Sequence, residues 1–189
     1  YRIDGEYEDA RHPKNVQFTA SLLEDLKRRD FTINAMAYND KNGLIDAFDG
    51  VGDLERGVIR CVGCAMERFS EAALRMLRAV RFAAQLGFDI EAETKEAMVK
   101  LAPDIAKVSA ERIQTELVKL ITSAHPGEIR TAWETGLTAV FLPEFDRMMA
   151  IAFSLYRIFL CDMLAGLSCV ALIPSTASTQ SGKRRISGI

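Results

Sequence analysis

Near residue 69 the spacing of apolar residues changes from roughly two to between three and four, and that switch limits the chain to a sheet-bearing front followed by a helical back. In the front part Arg2-Ile3-Asp4 alternates like an edge strand, and the chain opens at Tyr1, with no Met, in what reads as mid-strand and predicts further chain upstream. A short helix is predicted over Ala20 to Lys27, begun by Thr19 or Ser21. Ala35 to Tyr38 and Leu44 to Phe48 read as strands joined by the turn residues Asn39-Asp40-Lys41-Asn42-Gly43, hence a hairpin. One helical turn over Gly50 to Gly57 and a strand over Val58 to Val62 follow. Helices are then predicted over Glu71 to Leu86 with Ser70 as N-cap and Gly87 as stop, Glu91 to Leu101 ended by Pro103, Ala110 to Thr122 capped by Ser109, and Glu128 to Thr135 closed by Gly136. The fold class is α+β, with units expected at 1–68, 69–149 and 150–189.

The last unit differs in composition. Between Ile151 and Gln180 only Arg157 and Asp162 are charged, and a Ser/Thr-rich run leads to Lys183-Arg184-Arg185. Asp162 interrupts the apolar run and Pro174 ends it close to the ~18 residues a membrane span requires, so no span is expected. An amphipathic anchor stays open, but the preferred reading is a tail foreign to the fold, disordered or shifted in reading frame. A formal net charge of −2 excludes a uniformly basic nucleic-acid surface, so any polyanion contact must be local. The apolar h-region of a signal peptide does not occur in Tyr1 to Asp9. Cys61-x-x-Cys64 has no second pair at ligand spacing and reads as a buried or incidental pair in a reducing, cytoplasmic setting.

Two basic segments carry the chemistry. Arg75, Arg78 and Arg81 repeat every third residue beside an apolar ridge of Leu74, Leu77, Val80 and Ala84. Like charges so spaced disfavour a helix by ~0.2–0.5 kcal/mol per pair, which solvent or an anion must offset. Earlier, Lys27-Arg28-Arg29 runs into Asp30-Phe31-Thr32-Ile33-Asn34. Guanidinium forks suit polyphosphate because several N–H donors meet several oxygens. Taken alone, the arginine helix reads first as a solvated basic face with Glu71 pairing Arg75, while Lys27-Arg28-Arg29 fits a basic surface turn equally well.

Together, Arg28-Arg29-Asp30-Phe31-Thr32-Ile33-Asn34-Ala35-Met36-Ala37, Glu67-Arg68-Phe69-Ser70-Glu71 and Leu74-Arg75-Met76-Leu77-Arg78-Ala79-Val80-Arg81-Phe82 resemble the class II tRNA nucleotidyltransferases (CCA-adding enzymes) and bacterial poly(A) polymerases. Asp46 to Gly50, Ser109-Ala110-Glu111-Arg112-Ile113 and Leu142-Pro143-Glu144 extend the resemblance over about residues 1–149. It implies the C-terminal part of a nucleotidyltransferase head with a mixed sheet, followed by an all-helical neck. The implied reaction adds C and A from CTP and ATP to the tRNA 3′ end without a nucleic-acid template. The implied partners are tRNA and nucleoside triphosphates, with no membrane; the oligomeric state stays open. Carried onto this chain, Arg29 binds the triphosphate, Arg78 and Arg81 hold the nucleotide, and Arg75 donates to the base edge, with Arg28, Asp30 and Asn34 in support. All four main guanidinium groups are expected to converge on one hollow between sheet and helix.

Two departures qualify that picture. Ala72 stands where the family carries an Asp, so the acceptor for a base amino group is missing. The family's Asp-x-Asp pair for Mg²⁺ does not occur in the 189 residues, and its metal ligands are expected upstream of Tyr1. The chain by itself is therefore expected to be catalytically silent. Alternatives are a poly(A) polymerase, an enzyme adding only C or only A, a degenerate nucleotide- or RNA-binding module, and a structural domain whose arginines pair with acids.

Overall fold

The computed structural model describes residues 2–4, 16–18, 21–152 and 154. The chain divides into two units, Tyr1–Asp146 and Arg147–Ile189, and everything positioned below lies in the first. In the second, residues 147–152 and 154 are helical, and the sequence-based readings of residues 155–189 fall outside the described residues. Thr19, one candidate cap, falls outside them as well.

Strands β1 (Arg2–Asp4) and β2 (Val16–Phe18) pair antiparallel, and β3 (Met36–Asn39) and β4 (Gly43–Asp46) form the expected hairpin. Gly43 sits at φ +70°, a left-handed backbone that the Asn-Gly turn supplies without a Cβ penalty. Helix α1 (Leu22–Lys27) starts at Ser21, whose Oγ accepts from the Glu24 amide at 3.4 Å. After β4, Asp46 turns the chain by accepting from the amides of Phe48, Gly50 and Val51, which opens α2 (Gly50–Arg56). Gly50 is required there, because a Cβ would lie 2.3 Å from the Thr32 carbonyl oxygen.

The predicted strand Val58 to Val62 is shorter than expected. Only β5 (Val58–Ile59) persists, paired in parallel with β6 (Asp89–Ile90), while Cys61 makes an isolated bridge to Phe31. The helix predicted from Glu71 begins only at Leu74, as α4 (Leu74–Leu86), and a separate, unpredicted helix, α3 (Ala65–Glu71), precedes it. Ser70 does not cap: its Oγ donates to the Met66 carbonyl inside α3. The extended residue that ends α3 is Ala72, at φ −152° and ψ 95°. Burial of Ala65 and Phe69 holds α3 on the core in its own direction, which an unbroken α4 could not share.

The predicted apolar ridge of α4 does face the core, with Leu74, Leu77, Val80 and Ala84 all buried. Complete cover of Leu77 or Val80 is worth ~1.5–3 kcal/mol each relative to exposure. Helices α5 (Ala92–Leu101), α6 (Ala110–Ile121), α7 (Ile129–Glu134) and α8 (Leu137–Phe141) complete the unit. Helix α5 ends at Leu101 as expected before Pro103, and a 3-10 turn, Ala102–Lys107, follows with Pro103 in its first turn. One core runs from Phe31, Ile59 and Cys61 in the front through Phe69 and Leu77 to Ile105, Leu120 and Leu137. That shared core fixes the basic loop after α1 against α4.

Candidate nucleotide-binding hollow

A hollow of about 480 Å³ opens where the loop after α1 meets the start of α4 and α6. Arg28, Arg29, Asp30, Asn34, Ala72, Leu74, Arg75, Arg78 and Arg112 line it. Five cations against one acid make the lining strongly basic in a chain whose net charge is slightly negative. Seven of the eight residues singled out from sequence therefore meet in one place.

Ion pairs hold the lining in shape. Asp25, buried on α1, accepts from Arg28 Nε at 3.0 Å and Nη2 at 2.7 Å, and lies 3.5 Å from Arg29 Nη2. Arg29 Nη1 donates to the Asn34 carbonyl at 2.9 Å, folding the side chain across the 3-10 turn Thr32–Asn34. Asp30 bridges the two basic segments: Oδ1 accepts from the Phe31 amide and Asn34 Nδ2, and Oδ2 lies 2.8 Å from Arg78 Nε and 2.6 Å from Nη2. Arg75 is the most enclosed of the four pocket arginines on these segments, with its side chain 13% exposed. Its Nη1 donates to the Arg68 carbonyl and to Glu71 Oε2, and its Nη2 to the Arg28 carbonyl. Three of about five N–H donors are thereby fixed, leaving the group oriented with donors still to offer.

The loop behind the hollow is tied down by Asp53. This buried carboxylate accepts from Thr32 Oγ1 at 2.6 Å, Arg56 Nη2 at 2.7 Å and Arg60 Nε at 2.8 Å. Burial pushes its pKa up, but the three hydrogen bonds outweigh that and hold it below its ordinary 3.8. Asp46 is likewise held low, its burial outweighed by the amides of Val51, Gly50 and Phe48.

Arg81 corrects the expectation of four convergent guanidinium groups. Its side chain is buried away from the lining, 2.6 Å from Glu116 Oε2 of α6, at an angle too poor for a hydrogen bond. Nη1 donates to Gln85 Oε1, and the guanidinium carbon lies 3.9 Å from the Phe82 ring centroid. The cause is helical geometry: six residues at about 100° each place Arg81 about 120° round the axis from Arg75. Arg112 is the lining residue that sequence reading left without a role. One arginine on an amphipathic helix carries no local signal of what the tertiary fold sets beside it.

Of the cysteine pair, Cys61 is buried and Cys64 is exposed, and both thiols are free. Burial pushes the Cys61 thiol up to about 12, only partly opposed by Thr94 and Arg75. Among the described residues no three His, Cys, Asp or Glu side chains stand together to ligate a metal, so these residues do not fit a Mg²⁺ site. Nor, among them, is any helix long and apolar enough to cross a membrane.

A β-bearing front and a helical back share one core, and a basic hollow whose charge suits a polyanion opens where they meet. A family model described as the poly A polymerase head domain matches residues 1–60, and one described as a probable RNA and SrmB-binding site of polymerase A matches residues 87–149. The CCA-adding enzyme of Leuconostoc mesenteroides is 52% identical over 128 residues, 68% of this chain and 32% of that protein. The CCA-adding enzyme of Geobacillus kaustophilus is 49% identical over 144 residues, 76% of this chain and 35% of that protein. The crystal structure of Bacillus stearothermophilus CCA-adding enzyme in complex with CTP superposes with a TM-score of 0.68 at 42% identity, covering 75% of this chain and 34% of that one. Thermotoga maritima CCA-adding enzyme complexed with tRNA gives a TM-score of 0.60 at 34% identity, over 65% of this chain and 31% of that one. The chain belongs to the CCA-adding enzyme family. It spans about a third of the length of the curated relatives it matches.

Proposed function

We propose that this chain supplies the nucleotide-selecting part of a tRNA nucleotidyltransferase that adds C and A to the tRNA 3′ end from CTP and ATP. The observation that carries the reading is the meeting of Arg28, Arg29, Arg75 and Arg78 in one hollow. Arg29, 42% exposed on the rim, suits a triphosphate, and Arg75, enclosed and oriented, suits the donor-accepting edge that C and A share. Arg78 holds the nucleotide from beside Asp30, with Arg28 and Asn34 in support. Arg81 serves the same site through the α4–α6 contact. The partners are tRNA and nucleoside triphosphates, and free thiols at Cys61 and Cys64 suit a cytoplasmic setting. A division into a partial head (1–68), a neck (69–149) and a tail (150–189) is supported by the two separate family matches. Mg²⁺ serving this reaction would be held by residues other than those described.

Ala72 lines the hollow where an acceptor would meet the base amino group, so selection between bases is expected to be weak. In equilibrium titrations with CTP, ATP, GTP and UTP, Ala72→Asp should sharpen the preference for CTP and ATP by ~1–3 kcal/mol. An unchanged ranking of the four nucleotides would reject base selection at this site.

A further inference from the structure

We infer that Arg112 is a further phosphate contact of the hollow, reaching it from α6 and completing a grip otherwise built from the loop after α1 and from α4. The inference rests on the function proposed above and adds to it a residue and a helix. Arg112 stands in the first turn of α6, half-buried, and lines the same 480 Å³ space as Arg75 and Arg78.

What separates Arg112 from its neighbours is charge balance. Arg28 pairs with Asp25, Arg75 with Glu71 and Arg78 with Asp30, while Arg29 leans on Asp25 and the Asn34 carbonyl. Among the described residues the Arg112 guanidinium has neither an ion pair nor a hydrogen bond. One helical turn further on, Glu116 is the acid that would pair with it at i,i+4. That carboxylate is already engaged, with Arg81 Nε at 2.6 Å and Lys119 Nζ at 3.6 Å. The acid of the lining, Asp30, is bound on both oxygens by Phe31, Asn34 and Arg78. An arginine cannot shed its proton, so the lining holds a cation that the protein leaves uncompensated and a phosphate would compensate. The buried Arg81–Glu116 pair thus has a second consequence: by occupying Glu116 it leaves Arg112 to the hollow.

Two sources of phosphate fit, the triphosphate of the nucleotide and the phosphodiester of the strand being extended. The test titrates the whole chain with CTP and, separately, with a short single-stranded RNA bearing hydroxyls at both ends. The proteins compared are the wild type, Arg112→Gln and Arg112→Lys, each checked by thermal melting. Arg112→Gln should weaken at least one probe about tenfold, the worth of one charge-assisted hydrogen bond, and Arg112→Lys should recover most of it. A loss confined to CTP assigns the contact to the nucleotide. A loss confined to RNA, with a salt slope shallower by about one contact, assigns it to the strand. Wild-type binding of either probe with Arg112→Gln unchanged on both overturns the inference and leaves the proposed function standing. Equal losses in both variants with a lowered melting temperature also overturn it, since that marks a structural role. A wild type that binds neither probe overturns the inference and the proposed function together.

Discussion

Arg75 and Arg81 lie on one helix, six residues apart in an unbroken every-third repeat, yet they occupy opposite kinds of environment. Both are ion-paired, Arg75 with Glu71 and Arg81 with Glu116, so pairing does not separate them. What separates them is what remains after pairing. Arg75 keeps unfixed donors on a hollow, whereas Arg81 is enclosed by Glu116, Gln85 and the Phe82 ring. Arg78 between them is intermediate, half-exposed on the hollow and 5.5 Å from the same ring centroid. The lesson is that one repeat can serve binding at one end and helix packing at the other, because an i+3 ridge turns steadily about the axis.

The sharpest way to break this comparison is to remove the acid from the packing end. Glu116→Ala leaves Arg81 buried and uncompensated, and should cost about 3–5 kcal/mol in denaturant unfolding. The double change Arg81→Met with Glu116→Leu should recover most of that, since a buried pair contributes little beyond an apolar replacement. At the binding end the order reverses: Arg75→Ala should weaken CTP by about 1.5–3 kcal/mol in titration while moving the unfolding midpoint less than Glu116→Ala does. A large stability loss with unchanged CTP affinity would make Arg75 a packing residue like Arg81.

The smallest effect concerns the loop behind the hollow. Asp53 is held below its ordinary 3.8 in the fold, so its ionised form adds stability above that pH and loses it as pH falls through the lower folded value. Unfolding midpoints of wild type and Asp53→Asn should therefore differ most at neutral pH and converge as pH falls through the folded value below 3.8. Parallel curves across that range would show that Asp53 does not carry the acid sensitivity of this loop.

Strong local signals were readable in advance. The hairpin turn at Asn39 to Gly43, the Ser21 cap and the apolar ridge of α4 each follow from residues within a few positions of one another. The break at Ala72 was not readable, because alanine favours helix and only the burial of Phe69 on one side and Leu77 on the other forces two directions. Strand β6 and helix α8 were missed for a related reason: two and five residues are too few to show a period. In the hollow, the residues found from sequence lie in two continuous segments, and the one overlooked, Arg112, comes from a third.

The order of residues by itself determined the handover from strands to helices, the every-third spacing of the arginines and the clustering of cations before Asp30, since these are properties of short stretches. Only the tertiary structure decided which of those arginines meets the hollow and which is enclosed by α6. That choice depends on the angle at which α4 crosses its neighbours, and the angle is set by core contacts between residues far apart in the chain.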